Sequence, residues 1–185
     1  MARLYLVRHG EPTGTWGSSP DPDPGLSERG HIQAAEAAQS LLAQRPAHIV
    51  TSPLRRASET AAPLAGLTGL APVIVPAVAE IPTPADVEQA LRGDWLRAIM
   101  ARAWHEIDPA LQDWRAQAVA YLTGISGDTA IFSHYVMINV AVGAAIGDDR
   151  VHCFAPTHAS VTVLETNGRG LTLVELGATG ASAVR

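Results

Sequence analysis

Two histidines and two arginines stand out because each falls at or just beyond the end of a short apolar run. Arg8-His9 follows Leu4-Tyr5-Leu6-Val7, Arg56 lies just beyond His48-Ile49-Val50-Thr51, and His134 follows the run from Thr129 to Ser133. No carboxylate is matched in sequence to each of these charges. A pocket lined by two guanidiniums and two imidazoles suits a dianion. Arginine presents planar, forked donors that fit phosphate oxygens. Imidazole titrates near neutral pH and can serve as nucleophile, proton carrier or donor. Phosphoryl transfer is the chemistry such a set could do, because the charge that spreads over the phosphoryl oxygens is stabilised by fixed donors.

The elements that must position these groups alternate along the chain. Leu4 to Val7, His48 to Thr51 and Thr129 to Ser133 read as short buried strands. Ser27 stands where a helix N-cap belongs, and Ile32, Ala35, Leu41 and Leu42 follow at helical spacing until Pro46. Ser52-Pro53, Thr83-Pro84 and Asp108-Pro109 each place a capping side chain before a proline, which predicts helices starting near residues 53, 84 and 109. Pro63 is expected to kink or end the first of these, and Gly93 to weaken the second. Leu111, Trp114, Ala118 and Leu122 share one face of the third. Tyr135 to Ile146 reads as a buried helix closed by Gly147. Val161 to Leu164 and Leu171 to Leu176 read as a hairpin across Asn167-Gly168. The pattern predicts an α/β fold, a three-layer α/β/α sandwich with a mostly parallel sheet. In such sheets ligands sit beyond the carboxyl ends of the strands. Arg8-His9, Ser52 to Arg56 and Ser133-His134 all fall there and are expected to meet in one cleft.

Composition sets the outer bounds. A chain of 185 residues suits one domain over 1–185, and 47% hydrophobic against 17% charged residues is globular material. A net charge of −5 and a pI near 5.7 argue against a nucleic-acid partner, which would require a basic stripe. A lone cysteine, Cys153, permits no internal disulfide and reads as a half-buried apolar residue. The apolar run at the N-terminus is too short for a signal core. The run from Val136 to Ile146 contains Asn139 and falls short of the roughly 20 residues a membrane span needs. The expectation is a cytoplasmic protein with no membrane partner, and its oligomeric state is open. The sequence carries no Walker A loop and no Gly-x-Ser-x-Gly elbow, and no paired cysteines follow His9-x-Glu11 as in zinc deaminases.

Four ordered elements then carry a family likeness. Arg8-His9-Gly10-Glu11 resembles the Arg-His-Gly signature of the histidine phosphatase superfamily, which includes the phosphoglycerate mutases. Leu26-Ser27-Glu28-Arg29-Gly30, with Gln33, resembles its leucine-(threonine or serine)-x-x-glycine element. Ser52-Pro53-Leu54-Arg55-Arg56-Ala57-Ser58-Glu59-Thr60-Ala61 resembles its Ser-x-Leu-x-Arg-Ala-x-x-Thr-Ala block, in which Arg56 is the aligned arginine and Arg55 a solvated neighbour. Phe132-Ser133-His134 resembles the segment with the second histidine, and Ala159-Ser160-Val161 fits more loosely. The resemblance implies a phosphoglycerate mutase-like fold with His9 as a transiently phosphorylated nucleophile. Arg8, Arg56 and His134 would hold the phosphoryl oxygens, and Glu80 would be the proton donor, ahead of Glu11 and Asp86. A carboxylic acid in that role near neutral pH needs a raised pKa.

The chain also departs from the family. Thr15 stands where mutases carry an asparagine, and Pro82-Thr83-Pro84-Ala85-Asp86 replaces a Gly-x-x-Glu-Gly stretch. These departures disfavour a mutase and favour water as acceptor. Residues 82–124 occupy the place of the family's variable cap. The leading expectation is a metal-independent hydrolase of small phosphomonoesters with no cofactor, because the cationic side chains do the charge work of a metal ion. A protein phosphohistidine phosphatase and a silent phosphate-binding module are the rivals, and Glu80 leans toward esters. His31, His48, His105, His152 and His158 are expected to be surface or structural. Trp95, Trp104 and Trp114 are expected in the core, with Trp16 bordering the entrance.

Overall fold

The computed structural model describes residues 1–14 and 21–180, so Thr15 and Trp16 lie outside the described residues. The strands are β1 (Ala2–Arg8), β2 (His48–Thr51), β3 (Val73–Ile74), β4 (Thr129–Ser133), β5 (Val161–Thr166) and β6 (Leu171–Glu175). They form one sheet in the order β3-β2-β4-β1-β5-β6. The pairs β1–β4, β2–β4 and β2–β3 are parallel, whereas β1–β5 and β5–β6 are antiparallel. The expected hairpin is thus present and forms one edge of the sheet.

The continuous apolar run of β1 follows from its place, because a strand covered on both faces has no solvent side. Leu4 and Leu6 join one core cluster and Tyr5 and Val7 the other. Helices α1 (Glu28–Leu42) and α2 (Arg55–Thr68) cover the Tyr5–Val7 face through Ala37, Ala38, Leu41, Ala61 and Leu64. Helices α3 (Arg92–Met100), α4 (Pro109–Thr123) and α5 (Tyr135–Ile146) supply the Leu4–Leu6 face. The result is the expected α/β/α sandwich. Trp104 is buried in the core, while Trp95 and Trp114 are half-buried against it. Among the described residues no helix is long and apolar enough to cross a membrane.

The capping logic holds at two starts and fails at two others. Ser27 Oγ accepts from Gly30 N–H at 3.0 Å, and Asp108 Oδ1 accepts from Ala110 N–H at 2.7 Å. Ser52 does not cap α2. The helix starts two residues later than expected, and Asp23 accepts from its first amide, Arg55 N–H, at 3.0 Å. No helix begins at Thr83-Pro84, where Val87 N–H closes only a turn onto Pro84 O at 3.1 Å. Thr83 Oγ1 is buried without a hydrogen-bond partner among the described residues, so it caps nothing, and α3 begins only at Arg92. Pro63 does not end α2 either. The helix runs through it to Thr68 and stops at Gly69, whose φ is 73°. Burial of Ala61 and Leu64 on either side offsets the hydrogen bond that proline cannot donate.

Two motif glycines have one cause. A Cβ on Gly10 would lie 2.6 Å from Gly30 O, and one on Gly30 would lie 2.1 Å from Glu11 O. The loop after β1 and the first turn of α1 therefore touch backbone to backbone. Thr60 locks the same loop to α2, accepting from Gly10 N–H at 3.0 Å and donating to Arg56 O at 2.6 Å. Gly30→Ala is expected to cost about 3 kcal/mol through overpacking. Gly66→Ala, where a side chain meets nothing within 4 Å, should gain up to about 1 kcal/mol. Thermal unfolding of the two variants checks both signs.

Candidate active site

The carboxyl ends of β1, β2 and β4 bring the sequence-distant clusters together. His9 N–H donates to Ser133 O at 2.9 Å and Ser52 N–H to Phe132 O at 3.0 Å, so the three strand ends are stitched side by side. The His9 and His134 rings lie 5.2 Å apart, and His134 Nε2 is 2.7 Å from Ser52 Oγ. All five expected residues are withdrawn from solvent, with exposures of 5% for Arg8, 4% for His9, 5% for Arg56, 7% for Glu80 and 0% for His134.

His9 is held in one tautomer. Its Nδ1 is 2.8 Å from Gly10 O, a group that can only accept, so Nδ1 carries the proton and Nε2 keeps its lone pair. Burial first, then the charges of Arg56, His134 and Arg8, hold its pKa well below the usual 6.5. Burial and the charges of Arg56, Arg8 and Arg92 do the same to His134. Both rings are therefore neutral near pH 7.

Arg8 is clamped. Its Nη1 donates to Pro156 O at 2.8 Å, its Nη2 to His158 Nε2 at 3.0 Å, and its guanidinium lies 4.9 Å from the centre of the Tyr135 ring. Desolvation pushes its pKa down to about 10, so it stays charged at neutral pH. Arg56 is also lowered by burial, and its nearest carboxylate oxygen is Asp23 Oδ1, 3.6 Å from Nη1. Arg8 Nε, Arg56 Nε and His134 Nδ1 are buried without a hydrogen-bond partner among the described residues. Buried polar atoms are almost always paired, so these three are candidates to meet a ligand.

Glu80 lies between β3 and α3 on a segment tied down by Ser133 Oγ, which donates to Val78 O at 2.7 Å. Its Oε1 accepts from Ile81 N–H at 3.0 Å and from Val136 N–H at 3.2 Å. The N-terminus of α5, where the helix dipole favours an anion, thus receives the protein's own carboxylate. Burial raises the Glu80 pKa, opposed by those amides and by Arg56 and Arg8. The weaker acid candidates fare differently. Glu11 Oε1 accepts from Ser27 Oγ at 2.9 Å, and Asp86 is exposed.

Two site neighbours, His158 and Arg92, escaped the sequence reading, and Ser52 was placed in the cleft without its partner. His158, expected to be surface or structural, faces His9 with ring centres 5.7 Å apart and accepts from Arg8. Burial and Arg8 lower its pKa to about 4. It precedes Ala159, whose φ of 56° turns its N–H onto Arg8 O at 2.9 Å. Arg92, the first residue of α3, contributes charge felt by Glu80, Arg56 and His134. Ser52 was read as a cap rather than a partner of His134. The tripeptide Thr157-His158-Ala159 beside the loosely matching tail was the available signal; for Arg92 there was none. His31, His48 and His105 are exposed, and His152 stacks on Tyr135 with ring centres 5.7 Å apart. Cys153 is half-buried, its thiol pushed up to about 11 by burial.

The architecture and the order of the matched elements point to one superfamily, and the family comparison agrees. The sequence profile of the histidine phosphatase superfamily (branch 1) matches residues 4–179, and the chain belongs to that superfamily. Glucosyl-3-phosphoglycerate phosphatase of Mycobacterium tuberculosis is 35% identical over 118 residues, which cover 63% of this chain and 49% of that protein. The chain thus spans about half the length of that relative. A solved structure of mycobacterial glucosyl-3-phosphoglycerate phosphatase with inorganic phosphate superposes with a TM-score of 0.69 at 25% identity, covering 97% of this chain and 98% of the other. A putative alpha-ribazole-5'-P phosphatase from Escherichia coli shares the fold with a TM-score of 0.76 at 19% identity, covering 99% and 100%.

The buried neutral imidazoles link the site to stability. Each of His9, His134 and His158 binds a proton less readily in the folded chain than its ordinary 6.5, so unfolding takes up protons as pH falls below that value. Their contribution is fully present above pH 6.5 and is lost through the window down to about 4, where His158 titrates. Glu80, raised by burial, acts with the opposite sign but is one group against three. The melting temperature is expected to fall steadily from pH 6.5 to 4, and His158→Asn, which does not titrate, should flatten the slope.

Proposed function

We propose that this chain hydrolyses phosphomonoesters through a covalent phosphohistidine on His9, with Glu80 as proton donor. The observation that carries this reading is the set of buried nitrogens without a partner among the described residues, Arg8 Nε, Arg56 Nε and His134 Nδ1, beside an imidazole with its lone pair free. His9 Nε2 attacks phosphorus, the N–P bond forms, and the ester P–O bond breaks. The departing oxygen takes the Glu80 proton. Water then attacks phosphorus and gives its proton to the Glu80 carboxylate, the N–P bond breaks, and inorganic phosphate leaves. Dividing one displacement into two keeps each barrier lower. The Gly10 carbonyl, already accepting from Nδ1–H, steadies the positive charge the ring acquires. Arg8, Arg56 and His134 hold the equatorial oxygens as charge develops there.

The two guanidiniums supply the charge that supports a metal-independent reaction. The raised pKa of Glu80 supports ester substrates, whose alkoxide leaving groups need a proton, over phosphoramidates and over a silent binding role. Residues 82–124 act as the cap that selects a small phosphorylated substrate, and Arg92 carries its charge toward the pocket.

The test is p-nitrophenyl phosphate hydrolysis in EDTA. Wild type should turn over and His9→Ala should lose at least about 1,000-fold in kcat. Turnover that survives in His9→Ala, or that EDTA abolishes, would sink the reading. Glu80→Gln should slow alkyl phosphates by about 100-fold or more and p-nitrophenyl phosphate much less, since nitrophenolate leaves without a proton.

A further inference from the structure

Ser52 and His134 are both 0% exposed, and Ser52 Oγ lies 2.7 Å from His134 Nε2. Ser52 Oγ also accepts from Leu54 N–H at 3.2 Å. A hydroxyl has one proton and two lone pairs. With one lone pair engaged by Leu54, the hydroxyl proton has a single acceptor available among the described residues, His134 Nε2. A neutral imidazole that accepts at Nε2 must carry its proton on Nδ1. That nitrogen is buried, makes no hydrogen bond among the described residues, and belongs to a ring 5.2 Å from His9. The opposite tautomer would leave the Ser52 hydroxyl proton without an acceptor. It would also turn a bare Nδ1 lone pair toward the oxygens of an incoming dianion, which offer only lone pairs in return.

We propose that Ser52 is a positioning residue that fixes His134 as its Nδ1–H tautomer, so that Nδ1–H is the donor presented to the phosphoryl group. Its catalytic consequence rests on the phosphatase reading above; the tautomer itself does not. Ser52 is not a second nucleophile, because it is fully buried and its imidazole neighbour is too weak a base to take its proton. Leu54 N–H strengthens the arrangement, since a hydroxyl that accepts one hydrogen bond donates another more strongly.

The experiment is nitrogen-15 NMR of histidine-labelled, ligand-free protein at pH 7, with the His134 ring assigned by loss of its signals in His134→Asn. The expected spectrum has a protonated Nδ1 and an unprotonated Nε2 for His134. In Ser52→Ala that ring should become a mixture of tautomers. Its kcat should fall by about 10- to 100-fold, and its affinity for orthovanadate should fall more than its affinity for inorganic phosphate. Ser52→Thr, which keeps the hydroxyl, should restore the single tautomer and most of kcat. Should Ser52→Ala fail to fold, Ser52→Cys, a weaker donor of similar size, replaces it with the same expectations at smaller amplitude. A protonated Nε2 in the wild type would overturn the proposal. So would an alanine variant with unchanged tautomer and kcat. A wild type that shows the expected tautomer but hydrolyses no phosphomonoester supports the assignment of Ser52 and counts against the phosphatase reading alone.

Discussion

Burying two guanidiniums at the carboxyl ends of the central strands is the constraint on which the rest of this structure turns. Arg8 and Arg56 are each 5% exposed, and the carboxylate groups that reach them are few. Removing such charges from water is costly unless their donors are engaged. The fold engages Arg8 with neutral acceptors and sets Asp23 Oδ1 3.6 Å from Arg56 Nη1. Pro156 O and His158 Nε2 take two arms of Arg8, and the Tyr135 ring lies against its face. Arg8 Nε and Arg56 Nε stay buried and unpartnered among the described residues. Full carboxylate pairing would have lowered the cost of folding and filled the place an anionic ligand needs.

The same field dictates the state of the histidines. Imidazolium beside two guanidiniums would add a third buried positive charge, so His9 and His134 remain neutral. A neutral ring has one donor and one acceptor, and which faces the pocket depends on what holds the other. Gly10 O holds Nδ1–H of His9 and leaves Nε2 bare. On the argument given for Ser52, the second ring offers the reverse. One residue type thereby presents a free lone pair on one ring and, on the Ser52 proposal, a free N–H on the other, with ring centres 5.2 Å apart, through the choice of backbone or hydroxyl partner.

The legible parts of the sequence were those governed by local rules. Strand β1, the caps at Ser27 and Asp108, and the buried helix α5 follow from apolar pattern and capping within a few residues of each position. The convergence of Arg8-His9, Arg56 and His134 followed from topology, because parallel strands end on the same side. What stayed hidden depends on contacts across the fold. Asp23 and not Ser52 caps α2, which no spacing rule announces across 32 residues. His158 sits 150 residues from Arg8 and becomes a site residue only because β5 pairs with β1. Pro63 failed as a helix stop since burial on both sides outweighs one missing hydrogen bond. Thr83-Pro84 failed as a start since the Thr83 hydroxyl, buried without a partner among the described residues, caps no amide.

Glu80 shows how one carboxyl can serve both halves of the proposed reaction. Burial raises its pKa, while the amides of Ile81 and Val136 and the two arginines lower it. Burial outweighs the rest, so the proton is held more firmly than on an ordinary carboxyl. A phosphate dianion arriving beside it adds negative charge, which disfavours the carboxylate further and keeps the proton on. That is the form required to protonate a departing alkoxide. Once the proton has left with the alcohol, the carboxylate is stabilised by Arg8, Arg56 and the first turn of α5, and it can take a proton from water. The substrate's own charge thus sets the acid form and the protein's fixed charges sustain the base form. The amides of Ile81 and Val136 hold the carboxyl in place for both steps.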